Sequence, residues 1–353
     1  MNNALIGIDS MAAVGPEDQF DSVSGTPWEE IAATIPRDAS IDDILGLAGL
    51  DWNVEKRPLQ VEISPGNFIY VPKTYCLMRT DDDSFLSPYM GKSYKPVQND
   101  RAFEVFDQFV RAGDMTLETA GSLDGGRHIW GLAHINNEFV LGNGEKIRGY
   151  FLLMQSHAYG HALKAMFTAI RFPGGHSMVH PLQGVGGKTG VYSMPHSRKF
   201  NQERIEEIKD LLTKANASMS DLESKSSFLA NTKMTEADGI FYLANVFDQK
   251  LIQSRKGTVE GLPKSGEELL AAEDASRTLR NVWNMTKEYE GSELSSCNGT
   301  AWGYYNTVLY AIDHSLGHRV DTRLKSAWVG DGSNTKLQAL DVALALSASK
   351  SQR

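Results

Sequence analysis

The hydrophobic pattern of the chain changes near Phe200: short β-rich runs separated by turn signals give way to long stretches with helical patterning. PLQVEISPGNFIYV (58–71) holds two β-rich runs around Pro65-Gly66 and predicts a hairpin. YCLMRT and SFLSPY add strands around the acidic turn Asp81-Asp82-Asp83. In NDRAFEVFDQFVR, Phe103, Phe106 and Phe109 recur at helical spacing, so an amphipathic helix is expected from Asn99 to Arg111. Two more hairpins follow. MTLETAGSL and RHIWGLAHI flank Asp124-Gly125-Gly126, and NEFVLG and EKIRGYFLLM flank Asn143-Gly144. LKAMFTAIRF (163–172) fits a strand or a helix, and residues 173–195, rich in Gly, His and Pro, predict an extended loop. Ahead of all these, Ser40 with Asp43 resembles a capped start to the short helix ILGLAGL.

Downstream, FNQERIEEIKDLLTKANASMSDLESKSSFLA predicts one long helix. Thr235 with Asp238, and Ser265 with Glu268, look like N-terminal caps of two more, the second running through AAEDASRTLRNVWNMTKEY. Asn298-Gly299-Thr300 then opens the aromatic-rich helix AWGYYNTVLYAIDH. The expected fold class is α+β: an antiparallel, hairpin-built sheet region followed by a helical C-terminal region. Residues 1–25 read as a loosely held arm, 26–200 as the β-rich region and 201–353 as the helical one.

Composition narrows the class. With 41% hydrophobic and 22% charged residues over 353 positions, the chain matches an ordinary soluble protein. No apolar run approaches the length of a membrane helix, and the N-terminus lacks the basic-then-apolar pattern of a secretion signal. Cys76 and Cys297 lie far apart, as suits free thiols in a reducing cytoplasm.

Charge changes the picture more. The net charge of −9 hides a segregation: residues 1–145 carry 10 Lys+Arg against 23 Asp+Glu, and residues 201–353 carry 18 against 21. Residues 146–200 carry seven basic side chains and no acidic one. At the chain's acid frequency, such a window would hold roughly seven carboxylates. Its cations, Lys146, Arg148, Lys164, Arg171, Lys188, Arg198 and Lys199, alternate with aromatic residues that include Tyr159 and Tyr192. Cations for phosphates and ring faces for bases are what a single-strand groove needs. A buried strand region with an ordinary solvated face would also exclude carboxylates, so both readings stand.

Other candidate chemistry is weaker. His157/His161, His176/His180 and His314/His318 have the four-residue spacing of helical metal ligands. HAYGH, however, places Ala158 where a zincin-type motif has Glu, and Gly or Pro lies close to the first two pairs. No metal and no cofactor is therefore expected. GVGGKTG (184–190) resembles a phosphate loop, yet Leu182 stands where the full pattern requires Gly. The Asp81–Asp83 cluster reads as a solvated turn, and no nucleophile motif is present.

Several segments carry a family resemblance: AGLDWNVEKRPL (48–59), ETAGSLDGGRHIW (118–130), QSH (155–157), NGTAWGYYNTVLYAIDH (298–314) and TRLKSAWVGDGSNTKLQALDVALAL (322–346). Together they resemble the phage/plasmid-like protein family, a domain-of-unknown-function family of phages, plasmids and bacterial chromosomes. The resemblance runs from about residue 26 to residue 346 and places Gly126-Arg127, His157 and Asp313-His314 on family positions. In layout, hairpins followed by helices with a basic groove are similar to phage single-strand annealing recombinases, an analogy of architecture only.

The expected function is single-stranded DNA binding, with possible strand annealing in recombination or replication, by a cytoplasmic homo-oligomer without covalent chemistry. A phage-encoded chain would sit in the host cell's cytoplasm. Phosphate contacts are assigned to Arg127, Lys146, Arg148, Lys164, Arg171, Lys188, Arg198 and Lys199, and base stacking to Tyr159 and Tyr192. The alternatives are a metal-dependent hydrolase built on His157 and His161, and a non-catalytic virion or scaffold protein.

Overall fold

The computed structural model describes residues 8–14, 33–36, 39–142, 144–171, 177–182, 191–194, 202–317 and 320–351. The strands are β1 (Ile8–Val14), β2 (Ala33–Ile35), β3 (Val54–Ser64), β4 (Asn67–Arg79), β5 (Phe85–Gly91), β6 (Thr116–Leu123), β7 (His128–Leu141), β8 (Glu145–Ser156), β9 (Leu163–Arg171), β10 (Met178–Pro181) and β11 (Val191–Met194), and the hairpin signals become the antiparallel pairs β3–β4, β6–β7 and β7–β8. The helices are α1 (Ile41–Leu47), α2 (Asn99–Ala112), α3 (Gln202–Asn231), α4 (Glu236–Phe247), α5 (Gln249–Ser254), α6 (Gly266–Ala271), α7 (Arg277–Asn284), α8 (Ala301–Tyr310), α9 (Val320–Val329) and α10 (Asp331–Ser351). The fold is α+β, with antiparallel sheets first and helices after.

The large sheet has the order β10-β9-β8-β7-β6-β1-β2, and β11 shares with β10 the outer edge of β9. All its pairings are antiparallel except β1 with β2. A second sheet has the order β3-β4-β5. One face of the large sheet packs against helices through Phe103, Phe106 and Phe109 of α2, with Phe106 5.6 Å from the Phe151 ring. Gly131 of β7 makes room for this contact, since a Cβ there would sit 2.8 Å from Phe106 and 2.9 Å from Phe103. The other face buries Trp130, Leu132, Tyr150 and Met166 beneath Leu324 and Val329 of α9.

Three expectations need correction. Ile8–Val14, placed in the loose arm, is strand β1, held between β6 and β2, with Ala12 wholly buried. Its Ser and Ala side chains gave too weak an alternation to show this. The 173–195 loop contains β10 and β11, which complete the edge of β9; residues 172–176 and 183–190 lie outside the described residues. The helix expected from Ser265 through Tyr289 breaks after Ala271. There Ser276 starts a new cap on Leu279, its own N–H donates to Asp248, and Asp274 pairs with Arg255.

The helical layer meets the β9–β10 edge through two buried ion pairs. Arg171 pairs with Glu145, whose carboxylate also accepts from Ser296 Oγ at 2.7 Å and Trp302 Nε1 at 3.2 Å. Lys336 of α10 pairs with Asp313, which accepts the Val179 N–H at 3.0 Å. Between these pairs lies His180, wholly buried, its ring stacked on Trp302 at 5.2 Å with both nitrogens lacking a hydrogen-bond partner. Burial, then the charges of Arg171 and Lys336, hold its pKa well below 6.5.

Two outcomes follow from this interface. Arg171→Ala leaves Glu145 buried without its cation and should cost about 3–5 kcal/mol in urea unfolding. His180 has a folded pKa below its unfolded one, so the unfolded chain binds the extra proton. Its contribution to stability is complete above 6.5 and is lost as pH falls through the folded value. Unfolding free energies measured across acid pH should therefore fall less steeply in His180→Phe than in the wild type.

Candidate nucleic-acid interface

One end of the large sheet gathers segments that lie far apart in sequence. The β6–β7 turn reaches it with Arg127, the β8–β9 connection with residues 157–162, and α9 with Lys325. Asn99 holds the scaffold beneath. Its Nδ2 donates to the Leu50 and Trp52 carbonyls, and its Oδ1 meets His157 Nε2 at 2.9 Å. Trp52 packs edge-on against His157, and the His157 N–H donates to the Arg127 carbonyl at 2.8 Å. Asp9 accepts the N–H groups of Gly125 and Gly126, both in the left-handed region that tight turns reserve for glycine.

On this scaffold sits a cationic cluster. Lys325 Nζ lies 3.1 Å from His128 Nε2 and 3.4 Å from His161 Nε2. The His128 and His161 rings meet edge-on at 5.5 Å. Lys164, next along β9, donates from Nζ to the Val329 carbonyl at 2.9 Å, which holds it over the end of α9. Burial, then the nearby charges of Lys325 and Lys164, keep the His161 pKa below 6.5. Beside the cluster, Tyr159 is 60% exposed and meets Tyr89, 55% exposed, at 5.5 Å. Its N–H donates to Ser87 Oγ, which ties the connection to β5.

The structure thus brings together Arg127, Tyr159 and Lys164, and disperses the rest. Arg127 is half-exposed, 3.6 Å from Asp124. Lys146 and Arg148 share Glu138, at 3.6 and 3.3 Å, toward the opposite end of β7 and β8. Ten residues of strand put that end roughly 30 Å away. Arg171 is fully buried against Glu145 and offers nothing to a phosphate. It lies within the acid-free window, but its carboxylate stands one position before that window. Tyr192, expected in a loop, is on β11 with its hydroxyl on Glu207 of α3 and is only half-exposed. Lys188, Arg198 and Lys199 lie outside the described residues, as do GVGGKTG, His176 and His318.

Among the described residues, His157 and His161 do not form a helical metal site. His157 is a buried residue bonded to Asn99, whereas His161 faces Lys325, because the chain between them is a turn. His180 is on a strand, and Asp313 is taken by Lys336. Among the described residues, no three His, Cys, Asp or Glu side chains converge as a metal would require. The Asp81–Asp83 turn is neutralised by arginines: Arg79 binds Asp81, and Arg57 binds Asp83.

Residues 88–328 match the family model described as "Domain of unknown function (DUF932)". The chain belongs to the DUF932 family. No curated protein and no solved structure shows a significant match to it. The DUF932 match spans from within β5 to most of α9, so every cation and histidine of the sheet-end cluster falls inside it. Trp52, which wedges under His157 and Gly126, lies before the match. No helix among the described residues is long and apolar enough to cross a membrane.

Sequence reasoning missed Lys325, His128 and Tyr89. Lys325 lies 164 positions from His161, so no local pattern could pair them. His128 stood in view beside Arg127 in the GGRH turn, but its ring direction depends on the β7 pleat. A separate cavity of about 200 Å³ lies among the helices, walled in part by Trp283, Tyr304 and Thr307, and none of the sequence-assigned residues lines it.

The electrostatics give a direct check. In the free protein at low salt, the His161 side chain should titrate below 6.5 by NMR. Adding inorganic phosphate should raise that pKa, because a nearby anion favours the protonated ring. A free-protein value above 6.5 would mean that burial and the two lysines do not act on His161.

Proposed function

We propose that this chain binds single-stranded nucleic acid at the end of the large sheet, through Lys164, Lys325, His161 and Arg127, with Tyr159 and Tyr89 as stacking faces and buried His128 positioning Lys325. The contact of Lys325 with two histidine rings supports the reading most. Like charges and imidazoles held together make a positive potential that a phosphate would relieve. Two exposed tyrosines at its side supply the sequence-tolerant stacking that single-strand binders use. Binding or annealing by such a surface requires no bond to be made or broken. The reading places the protein in the cytoplasm as an element of phage or plasmid DNA recombination or replication. A hydrolase on His157 and His161 finds less support, since their ring nitrogens face different partners.

The test is anisotropy of a labelled single-stranded oligonucleotide titrated with protein over a range of salt. Affinity should fall with salt at a slope of about 0.7 per phosphate contacted. Lys325→Glu should flatten that slope, and Tyr159→Ala should weaken binding by about 1–3 kcal/mol per stacked base. Lys146→Ala should change neither measurably. Absence of binding at low salt by folded protein, or a slope indifferent to Lys325→Glu, would end this reading.

A further inference from the structure

The β3–β4 hairpin extends past its own sheet as a two-stranded ribbon. Strand β5 pairs with β4 only from Thr74 to Met78, so the outer part of the hairpin has no third strand. Every residue from Gln60 to Tyr70 is exposed. Val61, Ile63, Phe68, Ile69 and Tyr70 are 47–64% accessible and occur on both faces. Between Pro58 and Pro72, Glu62 is the single charged side chain. An isolated two-stranded hairpin is marginal in water, and a contiguous apolar surface of this kind marks a contact.

The two edges of the ribbon differ. On β4, Pro72 lacks an N–H and Lys73 has φ 57°, and both features blunt an edge against pairing. On β3, the run Leu59–Ser64 between Pro58 and Pro65 has Glu62 and, next to the hairpin turn, a register shift at Ile63 as its deterrents, and it keeps its backbone N–H groups from Leu59 to Ser64. We infer that this β3 edge pairs with the β3 edge of a second copy of the chain, antiparallel about a two-fold axis at Val61.

The register follows from side-chain chemistry. Centring on Val61 sets Leu59 opposite the partner's Ile63, Gln60 opposite the partner's Glu62 and Val61 opposite its own copy. Apolar residues meet apolar ones and polar meet polar. A shift by one residue would set every apolar side chain against a polar one, and centring on Glu62 would oppose like charges. The ribbon has no cation to hold a phosphate, which argues against nucleic acid as its occupant. Two such ribbons form a four-stranded sheet with Val61 and Ile69 of both copies on one face, enough strands for stability in water. This contact is independent of the nucleic-acid reading, because it uses none of the same side chains.

The experiment combines sedimentation velocity with single cysteines on the full chain. Cys76 and Cys297 are buried, so background cross-linking is low. Under mild oxidant, Val61→Cys should give a disulfide-linked dimer, since residues directly opposite in antiparallel strands lie within disulfide reach. Phe68→Cys, on β4 and no less exposed, should remain unlinked. Val61→Lys should lose the dimer peak while keeping the wild-type circular dichroism and melting temperature. A monomeric wild type, equal cross-linking at both positions, or a dimer that survives Val61→Lys would overturn the inference. A monomer that binds zwitterionic lipid vesicles through the ribbon would overturn it in favour of a membrane contact.

Discussion

Two buried carboxylates, Glu145 and Asp313, fix the helical layer to the outer edge of the large sheet. Each takes a cation from one side of the interface and neutral donors from the other. Glu145, on β8, binds Arg171 across the sheet and Ser296 and Trp302 from the helical region. Asp313, in the helical region, binds Lys336 of α10 and the backbone N–H of Val179 on β10. Because a lone charge at such a site would remain unsolvated, any slip of the sheet against the helices is penalised far more than apolar packing alone would penalise it. The hydrophobic core supplies the driving force, and these pairs select one register.

That constraint determines which cations are left for other work. Arg171 and Lys336 are spent inside, and burial, reinforced by their charges, keeps His180 neutral between them. Lys146 and Arg148 share Glu138 at one end of the sheet. At the other end, Lys325 faces two imidazoles and Lys164 the Val329 carbonyl, with the Trp52–Asn99–His157 network setting the β8–β9 connection that carries Tyr159. The positive surface therefore results from sheet-end geometry more than from the density of basic residues along the chain.

The exposed ribbon has a related origin. Its base is anchored by Trp52, Val54 and Leu77 in the core, whereas its outer half contributes nothing to that core. Such a segment gains stability only from a surface outside its own fold, and its shortage of charge restricts what that surface is.

Much of the architecture was legible because it rests on local chemistry. Gly-containing turns set the hairpins, the Ser40 and Thr235 capping boxes set helix starts, and the Phe103–Phe109 spacing identified the buried face of α2. Short strands at or next to the sheet margins were not legible: β1, β10 and β11 have little periodicity of their own and exist because neighbouring strands offer free backbone partners. The acid-free window was a real feature of the sequence, but a window cannot show direction. Along β8 and β9 the pleat sends alternate residues to opposite faces, so Lys164 turns toward α9 and Arg171 toward Glu145. The sequence alone determined element types, turn positions and the segregation of charge, since these depend on near neighbours. Only the tertiary structure decided which cations stay near solvent and which distant residue, Lys325, joins them, because burial and charge pairing are set by contacts across the fold.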